Sequence, residues 1–334
     1  MPLIRARVSA VHRSTLELLH GATPQSATLG PAFWVADSPL SRPCIGDWVF
    51  AHSDERRPWL VESIAPRTSL LVRRAAGEDS RPQALAANVD VALLFAPLPH
   101  GVNVRRLARL AALTFDGGAT PLVLLSRADL SDRDTLDSAR RDVARHCPGV
   151  PVAAVSAHAN DGLAELRPWL QSGRTFVLLG PSGAGKSTLV NALGNEALAH
   201  TGDTRADGKG RHTTSHRELF VLDNGVTLID TPGLREVGLL HESTDGDDGV
   251  DRLFADIASL AAACRFGDCR HHTEPSCAVR AAIDDGRLQP DRLEQWQELR
   301  REIDFATRTA AERRRIERGG SRLMREIKTW RRDR

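Results

Sequence analysis

The run Gly180, Pro181, Ser182, Gly183, Ala184, Gly185, Lys186, Ser187 and Thr188 satisfies the phosphate-binding pattern GxxxxGK[ST] at every specified position. Glycines let backbone N–H groups turn inward around phosphate oxygens, and the following helix N-terminus adds positive potential. Lys186 can reach β and γ phosphates, and the Ser187 hydroxyl is placed to hold Mg2+. This chemistry needs a strand leading in and a helix leading out. Residues 175–179, Thr-Phe-Val-Leu-Leu, supply the strand, and residues 187–193 carry a helical pattern. A chance glycine turn would need neither flank.

A phosphate loop alone does not name the base. Downstream, residues 226–230 form an apolar strand ending in Asp230-Thr231-Pro232-Gly233. Asp230 can hold Mg2+ through water, and the Gly233 N–H can sense the γ phosphate. Between these elements lies a polar, glycine-rich stretch, residues 202–216, containing Gly210-Arg211-His212-Thr213-Thr214. It has the composition of a switch, with Thr214 the expected ligand to Mg2+ and Thr213 the neighbouring competitor. No NKxD-like sequence follows Gly233. Loops of that kind precede the phosphate loop instead: a strand over 120–125 runs into Ser126-Arg127-Ala128-Asp129, and one over 152–155 runs into Ser156-Ala157. The chain therefore carries base-reading loops first and phosphate loops second, the order of a circularly permuted nucleotide-binding domain. Strands over 89–95, 122–125 and 152–155 alternate with helices over 104–115, 132–146 and 163–170, the signature of a doubly wound parallel sheet.

A second constellation lies beyond it. Cys264, Cys269, His271 and Cys277 form CxxxxCxHxxxxxC, with His272 beside the histidine. Three thiolates and one imidazole complete a tetrahedral Zn2+ with no open position, the structural pattern, and such a cluster in a reducing compartment suggests metal before disulfide. Unliganded thiols are the bland alternative.

The 334 residues have room for three domains, expected over 1–73, 74–255 and 256–334. Residues 1–73 alternate short apolar segments (8–19, 33–36, 48–51, 59–64) with turns, which a small β-barrel satisfies, and 75–82 have the composition of a linker. Phe33, Trp34, Trp48 and Trp59 are divided between core and a stacking surface for single-stranded nucleic acid. The net charge is only +2, but residues 311–334 hold ten Arg or Lys against four acidic residues. Leu293, Trp296, Leu299 and Ile303 recur at helical spacing, and the basic arm after Gly319-Gly320 suits solvent, an anionic membrane or RNA phosphate. No apolar run reaches membrane-spanning length and the first twenty residues hold no signal-peptide core, so a cytoplasmic, non-membrane protein is expected, with monomer as the default.

The permuted loop order, the sequence Gly210-Arg211-His212-Thr213-Thr214 and the cysteine and histidine cluster together resemble the circularly permuted small ribosomal subunit biogenesis GTPases, the RsgA or YjeQ family. The resemblance implies an N-terminal OB-fold, a central permuted GTPase domain and a C-terminal zinc-binding domain with a helical arm. It implies hydrolysis of GTP to GDP, stimulated by the small (30S) ribosomal subunit and its rRNA late in that subunit's maturation. It also implies that His212 replaces the water-orienting glutamine of Ras-like enzymes, since Leu234 follows the DTPG sequence; the alternative is that His212 contacts RNA or stabilises the ordered switch. One departure stands out. The family's NKxD or TKxD is Ser126-Arg127-Ala128-Asp129 here, which keeps the aspartate that reads guanine but puts a shorter serine at the first position and arginine for lysine at the second, so weaker affinity or relaxed base choice is expected. Two other function classes fit parts of the chain: a P-loop nucleotidase of relaxed base specificity, and an RNA-binding nucleotide switch without efficient catalysis.

Overall fold

The computed structural model describes residues 3–12, 14–35, 38–53, 58–74, 82–159, 161–194, 217–231 and 249–304. Five short strands close on themselves at the N-terminus: β1 (Leu3–Val11), β2 (Leu16–His20), β3 (Thr23–Leu29), β4 (Trp48–His52) and β5 (Trp59–Ile64). β1 pairs antiparallel with both β2 and β4, and a parallel β3–β5 contact completes the ring. Closure leaves no strand edge open, as in an OB-type barrel. Alternate residues fill the interior, among them Ala6, Val8, Leu18, Val49, Ala51 and Val61.

The sequence predicts an extended segment over 33–36. The structure has a helical turn there instead, α1 (Ala32–Val35), between β3 and β4. Pro31 precedes it with a fixed φ suited to a first turn. Phe33 drops into the barrel core, while Trp34 is left 62% exposed. Residues 75–82 are predicted as linker, but Pro82 opens a strand: β6 (Leu70–Arg74) and β7 (Pro82–Ala87) form an antiparallel pair. Proline is tolerated at the first residue of a strand.

The central sheet has the order β10-β9-β8-β11-β13-β12, from β8 (Val91–Pro97), β9 (Thr120–Ser126), β10 (Val152–Val155), β11 (Thr175–Leu179), β12 (Glu218–Val221) and β13 (Thr227–Asp230). All neighbours are parallel except the edge strand β12. β8 and β11 are continuous buried apolar runs because both faces are covered. One face packs against α2 (Val104–Asp116) and α3 (Arg133–His146); the other meets α4 (Leu163–Leu166) and α5 (Lys186–Leu193). Asn103 and Asp132 cap α2 and α3 by accepting the N–H groups of Arg106 and Thr135. The helix predicted over 163–170 stops at Leu166, where Pro168 cannot donate to continue it.

Four further helices follow: α6 (Gly249–Leu253), α7 (Ala255–Ala261), α8 (Ala278–Asp284) and α9 (residues 290–304). α6 lies so close on α2 that a Cβ on Gly249 would sit 1.9 Å from the Ala112 carbonyl oxygen, so only glycine allows the contact. α9 buries Leu293, Leu299 and Ile303, as its spacing predicts. Arg292 locks this layer down: its guanidinium binds Asp256 at 2.5 and 2.8 Å, donates to the His146 and Leu253 carbonyls, and lies 4.5 Å over the Phe254 ring. Among the described residues no helix is long and apolar enough to cross a membrane.

Candidate nucleotide site and zinc cluster

The site is built at the carboxyl ends of five parallel strands, where a doubly wound sheet binds ligands. Strand register sets the order along that edge. Val155 stands beside Ser126, Ser126 beside Pro97, Leu94 beside Leu179, and Leu178 beside Asp230. β8 lies at the crossover: β9 and β10 lead to one side, β11 and β13 to the other.

Gly180 to Gly185 wrap from β11 into α5, with Gly183 and Gly185 at φ of 74° and 92°. A Cβ on Gly185 would meet nothing within 4 Å, so the loop encloses open space, whereas one on Gly180 would lie 2.7 Å from the Phe95 Cβ. Lys186 is folded across the loop, donating to the Pro181 carbonyl at 2.9 Å and the Gly180 carbonyl at 3.4 Å. Burial pulls its ammonium below the usual lysine range, and Asp230 partly opposes that. The Ser187 hydroxyl donates to Asp230 Oδ2 at 2.8 Å. Burial pushes the Asp230 carboxyl up, against the lowering effect of Ser187 and Lys186. Asp230 Oδ1 is buried without a hydrogen-bond partner among the described residues. A hydroxyl, a carboxylate oxygen held beside it and an orphaned acceptor match what a hydrated Mg2+ requires. Thr231, the residue directly after β13, donates its hydroxyl to the Leu178 carbonyl at 2.6 Å.

Beside the phosphate loop opens a cavity of about 320 Å3 lined by Ser126, Arg127, Asp129, Ser156, Ala157 and Gly185, among others. Loops that lie far apart in sequence thus share one pocket with Ala184 and Thr188. Arg127 takes a left-handed conformation, φ 57°, which turns the chain into the one-turn segment Ala128–Leu130 and leaves Asp129 exposed on the rim. Ser126 is 5% exposed, and its hydroxyl has no partner among the described residues. Ser156 accepts from the Ala159 N–H at 3.2 Å and pairs through its backbone with Asp161, which tightens the second loop. Phe95 and His158 also line the pocket and were not predicted from sequence. Phe95 reads only as a core strand residue; His158, directly after Ser156-Ala157, was within reach. His212, Thr214 and Gly233 lie outside the described residues.

In the C-terminal layer the ligand atoms of Cys264, Cys269, His271 and Cys277 all lie within 4.8 Å of one another. Cys264 Sγ is 3.8 Å from Cys277 Sγ and 3.7 Å from His271 Nδ1, and His271 Nδ1 is 3.3 Å from Cys277 Sγ. A tetrahedral zinc with thiolates at about 2.3 Å has ligand atoms roughly 3.8 Å apart, so the set fits that ion. His272 is exposed and outside the cluster. His271 sits at φ 60°, and its ring lies 5.4 Å from that of Trp296 on α9. Glu274 organises the loop by accepting the backbone N–H groups of Arg270, His272 and Thr273 at 2.8 to 3.0 Å. These bonds hold its carboxyl down at about 2.

Comparison with known proteins agrees with this geometry. The family model RsgA GTPase matches residues 64–240. The chain is 48% identical over 273 residues to the small ribosomal subunit biogenesis GTPase RsgA of Streptomyces coelicolor, covering 81% of this chain and 73% of that one. It is 38% identical over 331 residues to RsgA 2 of Lactiplantibacillus plantarum, covering 97% and 92%. In structure it resembles YjeQ from Thermotoga maritima, with TM-score 0.64, 23% identity and 90% and 99% of the two chains covered. It also resembles YloQ, a circularly permuted GTPase, with TM-score 0.60, 25% identity and 91% and 96% covered.

Proposed function

Because this chain belongs to the RsgA GTPase family and is a GTP-hydrolysing enzyme, we propose that it acts on the small ribosomal subunit, as the relatives' names say of them, with guanine nucleotide seated between Asp129 and the phosphate loop. The observation that carries this reading is the shared pocket, in which Ser126, Asp129 and Ser156 face the phosphate loop across about 320 Å3. Asp129 accepts from guanine N1–H and the 2-amino group together, a pattern adenine cannot supply. Arg127, Ala128 and Ala157 shape the walls around the base. The backbone of Gly180 to Gly185 wraps the phosphates, with Thr188 following at the start of α5. Lys186 exchanges its two carbonyl acceptors for β and γ phosphate oxygens.

Ser187 and Thr214 are the direct protein ligands for Mg2+, and Asp230 holds its water. Held there, the ion would supply positive charge against the phosphate oxygens as hydrolysis proceeds. Gly233 supplies an N–H to the γ phosphate, and His212 orients the attacking water. Cys264, Cys269, His271 and Cys277 hold one structural Zn2+, which fixes the loop against α8 and α9. The proposed units are a barrel (1–73), a GTPase unit (74–255) and a zinc unit (256–334), the first boundary falling within β6 and the second within α7. A cytoplasmic monomer that contacts rRNA and engages no membrane completes the reading.

The test is hydrolysis of GTP and of ATP by the purified chain, with and without small subunits. GTP-selective turnover that rises at least tenfold with subunits is the expected result. Equal use of ATP overturns the base assignment, and no response to subunits overturns the ribosomal role.

A further inference from the structure

A second cavity, of about 410 Å3, lies at the seam between the barrel and the β6–β7 hairpin and shares no residue with the nucleotide pocket. Its polar lining is dominated by Arg42, from the loop before β4, and Arg217, from the residue that enters β12. Arg42 is exposed, with its guanidinium 5.5 Å over the ring of Trp34, itself 62% exposed. Arg217 donates to the Ala84 carbonyl at 3.1 Å. Among the described residues neither guanidinium has a carboxylate partner.

The surroundings add positive charge rather than cancel it. Burial, and after it the charge of Arg73, which is bonded to Gln83 at 3.1 Å, lowers the affinity of Arg217 for a proton. Asp47 is the nearby acid, but both of its oxygens are taken, by Arg67 at 2.7 and 2.8 Å and by the Cys44 N–H at 2.8 Å. Burial pushes the Cys44 thiol far up, so it stays neutral. A half-buried guanidinium with no counter-ion among the described residues is a favourable partner for an anionic ligand. The volume lies within the range of small-ligand sites. Pro39, Pro43 and Pro82 give the walls an apolar surface suited to a sugar or base, and Trp34, outside the lining itself, presents its exposed ring to the Arg42 guanidinium.

We propose that this seam is a second phosphate site, taking one nucleotide unit with its phosphate between Arg42 and Arg217 and its base toward Trp34. The inference deepens the rRNA-contact reading when the nucleotide belongs to an RNA strand, and stands apart from it when the ligand is a free mononucleotide.

The experiment uses the full chain with its phosphate loop saturated with GDP. Binding of a fluorescent single-stranded RNA 12-mer and of adenosine monophosphate is titrated for wild type, Arg42→Gln and Arg217→Gln. A fluorescent GDP analogue and a melting curve check that nucleotide site and fold persist, Arg42 being the exposed residue least able to disturb packing. For the RNA source, each variant weakens RNA binding about five- to tenfold and reduces the slope of log Kd against log salt by about one, with GDP affinity unchanged within twofold. For the free source, RNA binding is unaltered or absent, and adenosine monophosphate binds wild type but not Arg42→Gln. Failure of wild type to bind RNA at all counts against the rRNA reading alone. If both ligands bind Arg42→Gln as they bind wild type, or neither binds wild type, the seam is not a phosphate site and the proposal is wrong.

Discussion

Replacing Asp129 by Asn should convert the pocket from guanine toward xanthine. The carboxylate stands on the rim of the cavity, in the one-turn segment Ala128–Leu130, near the buried Ser126 hydroxyl, which has no partner among the described residues. It offers guanine two acceptors for two donors; an amide offers one acceptor and sets its own NH2 against a donor. Hydrogen bonds to a charged group contribute about 1.5–3 kcal/mol each. Asp129 is exposed, so water competes and the lower figure applies: two bonds give about 3 kcal/mol. At about 1.4 kcal/mol per tenfold, GDP affinity should fall by roughly 100- to 200-fold. Xanthine carries a carbonyl where guanine has its amino group, so the xanthosine nucleotide should gain on the variant while losing on wild type. Titrating fluorescent GDP and XDP analogues, with ADP as control, reads both changes. Stability should move by less than about 0.5 kcal/mol, since the side chain is on the surface. A loss of GDP affinity smaller than about tenfold, or no gain for XDP, would refute the assignment of Asp129 to the base.

Three other expectations can be checked on the same protein. Gly180→Ala would press a methyl group 2.7 Å from the Phe95 Cβ and 3.2 Å from its carbonyl oxygen; overpacking against backbone costs about 1–3 kcal/mol, so the melting temperature should drop and GDP affinity fall as the loop shifts. Removing zinc with a chelator, or Cys277→Ser, should release the loop that sets His271 against Trp296; tryptophan fluorescence should change and the C-terminal helices lose protection from proteolysis, while GDP binding persists. Arg292→Met should cost about 2–3 kcal/mol, below the value of about 3–5 for a fully buried pair because Asp256 is partly exposed. Burial acts to raise the Asp256 carboxyl, but the hydrogen bonds and charge of Arg292 carry it net below the ordinary value. A depressed carboxyl contributes stability above its unfolded pKa and loses it as pH falls, so the gap between wild type and Arg292→Met in urea melts should narrow below about pH 4, leaving the part owed to the His146 and Leu253 carbonyls and the Phe254 ring.

Local chemistry made most of the site legible. The phosphate loop, the DTPG turn and the cysteine cluster are short, contiguous patterns whose geometry follows from spacing, and the alternation of apolar strands with helices fixed the sheet's class. What needed the structure was register between distant segments. Phe95 lies under Gly180 only because β8 lies between β9 and β11. β3 went unseen because Thr23–Leu29 carries little apolar signal of its own and is held by its pairing with β2 and β5. The linker composition of 75–82 reaches only the first residue of β7, and the rest of that strand carries no alternating signal of its own. Helix 163–170 was overextended because its apolar spacing continues past the proline that ends it.

The permuted chain order has a physical consequence for how the appended units reach the nucleotide. Moving the chain ends leaves the sheet intact but brings the barrel in at the hairpin before β8 and sends the chain after β13 toward the zinc layer. Arg7 of β1 crosses the first seam. It donates to the hydroxyl of Thr175, the first residue of β11, at 2.8 Å and to that of Thr227, the first of β13, at 3.4 Å. Burial pushes its guanidinium down to about 10, against the charges of Asp90 and Asp47. Those two strands end at Leu179, directly before Gly180, and at Asp230. A five-residue strand spans about 16 Å and does not compress, so the barrel holds the amino ends of the strands whose carboxyl ends carry the phosphate loop and the aspartate beside Ser187. On the other side, Arg109 of α2 binds Glu298 and Glu302 of α9 at 3.2 and 2.9 Å, and Arg145 of α3 binds Asp291 at 2.7 Å. The helices that support β8 and β9 are thereby tied to the zinc layer. An RNA surface that engages barrel and zinc layer together would act on the phosphate half of the sheet through one and on the base half through the other. Neither contact needs to approach the nucleotide itself.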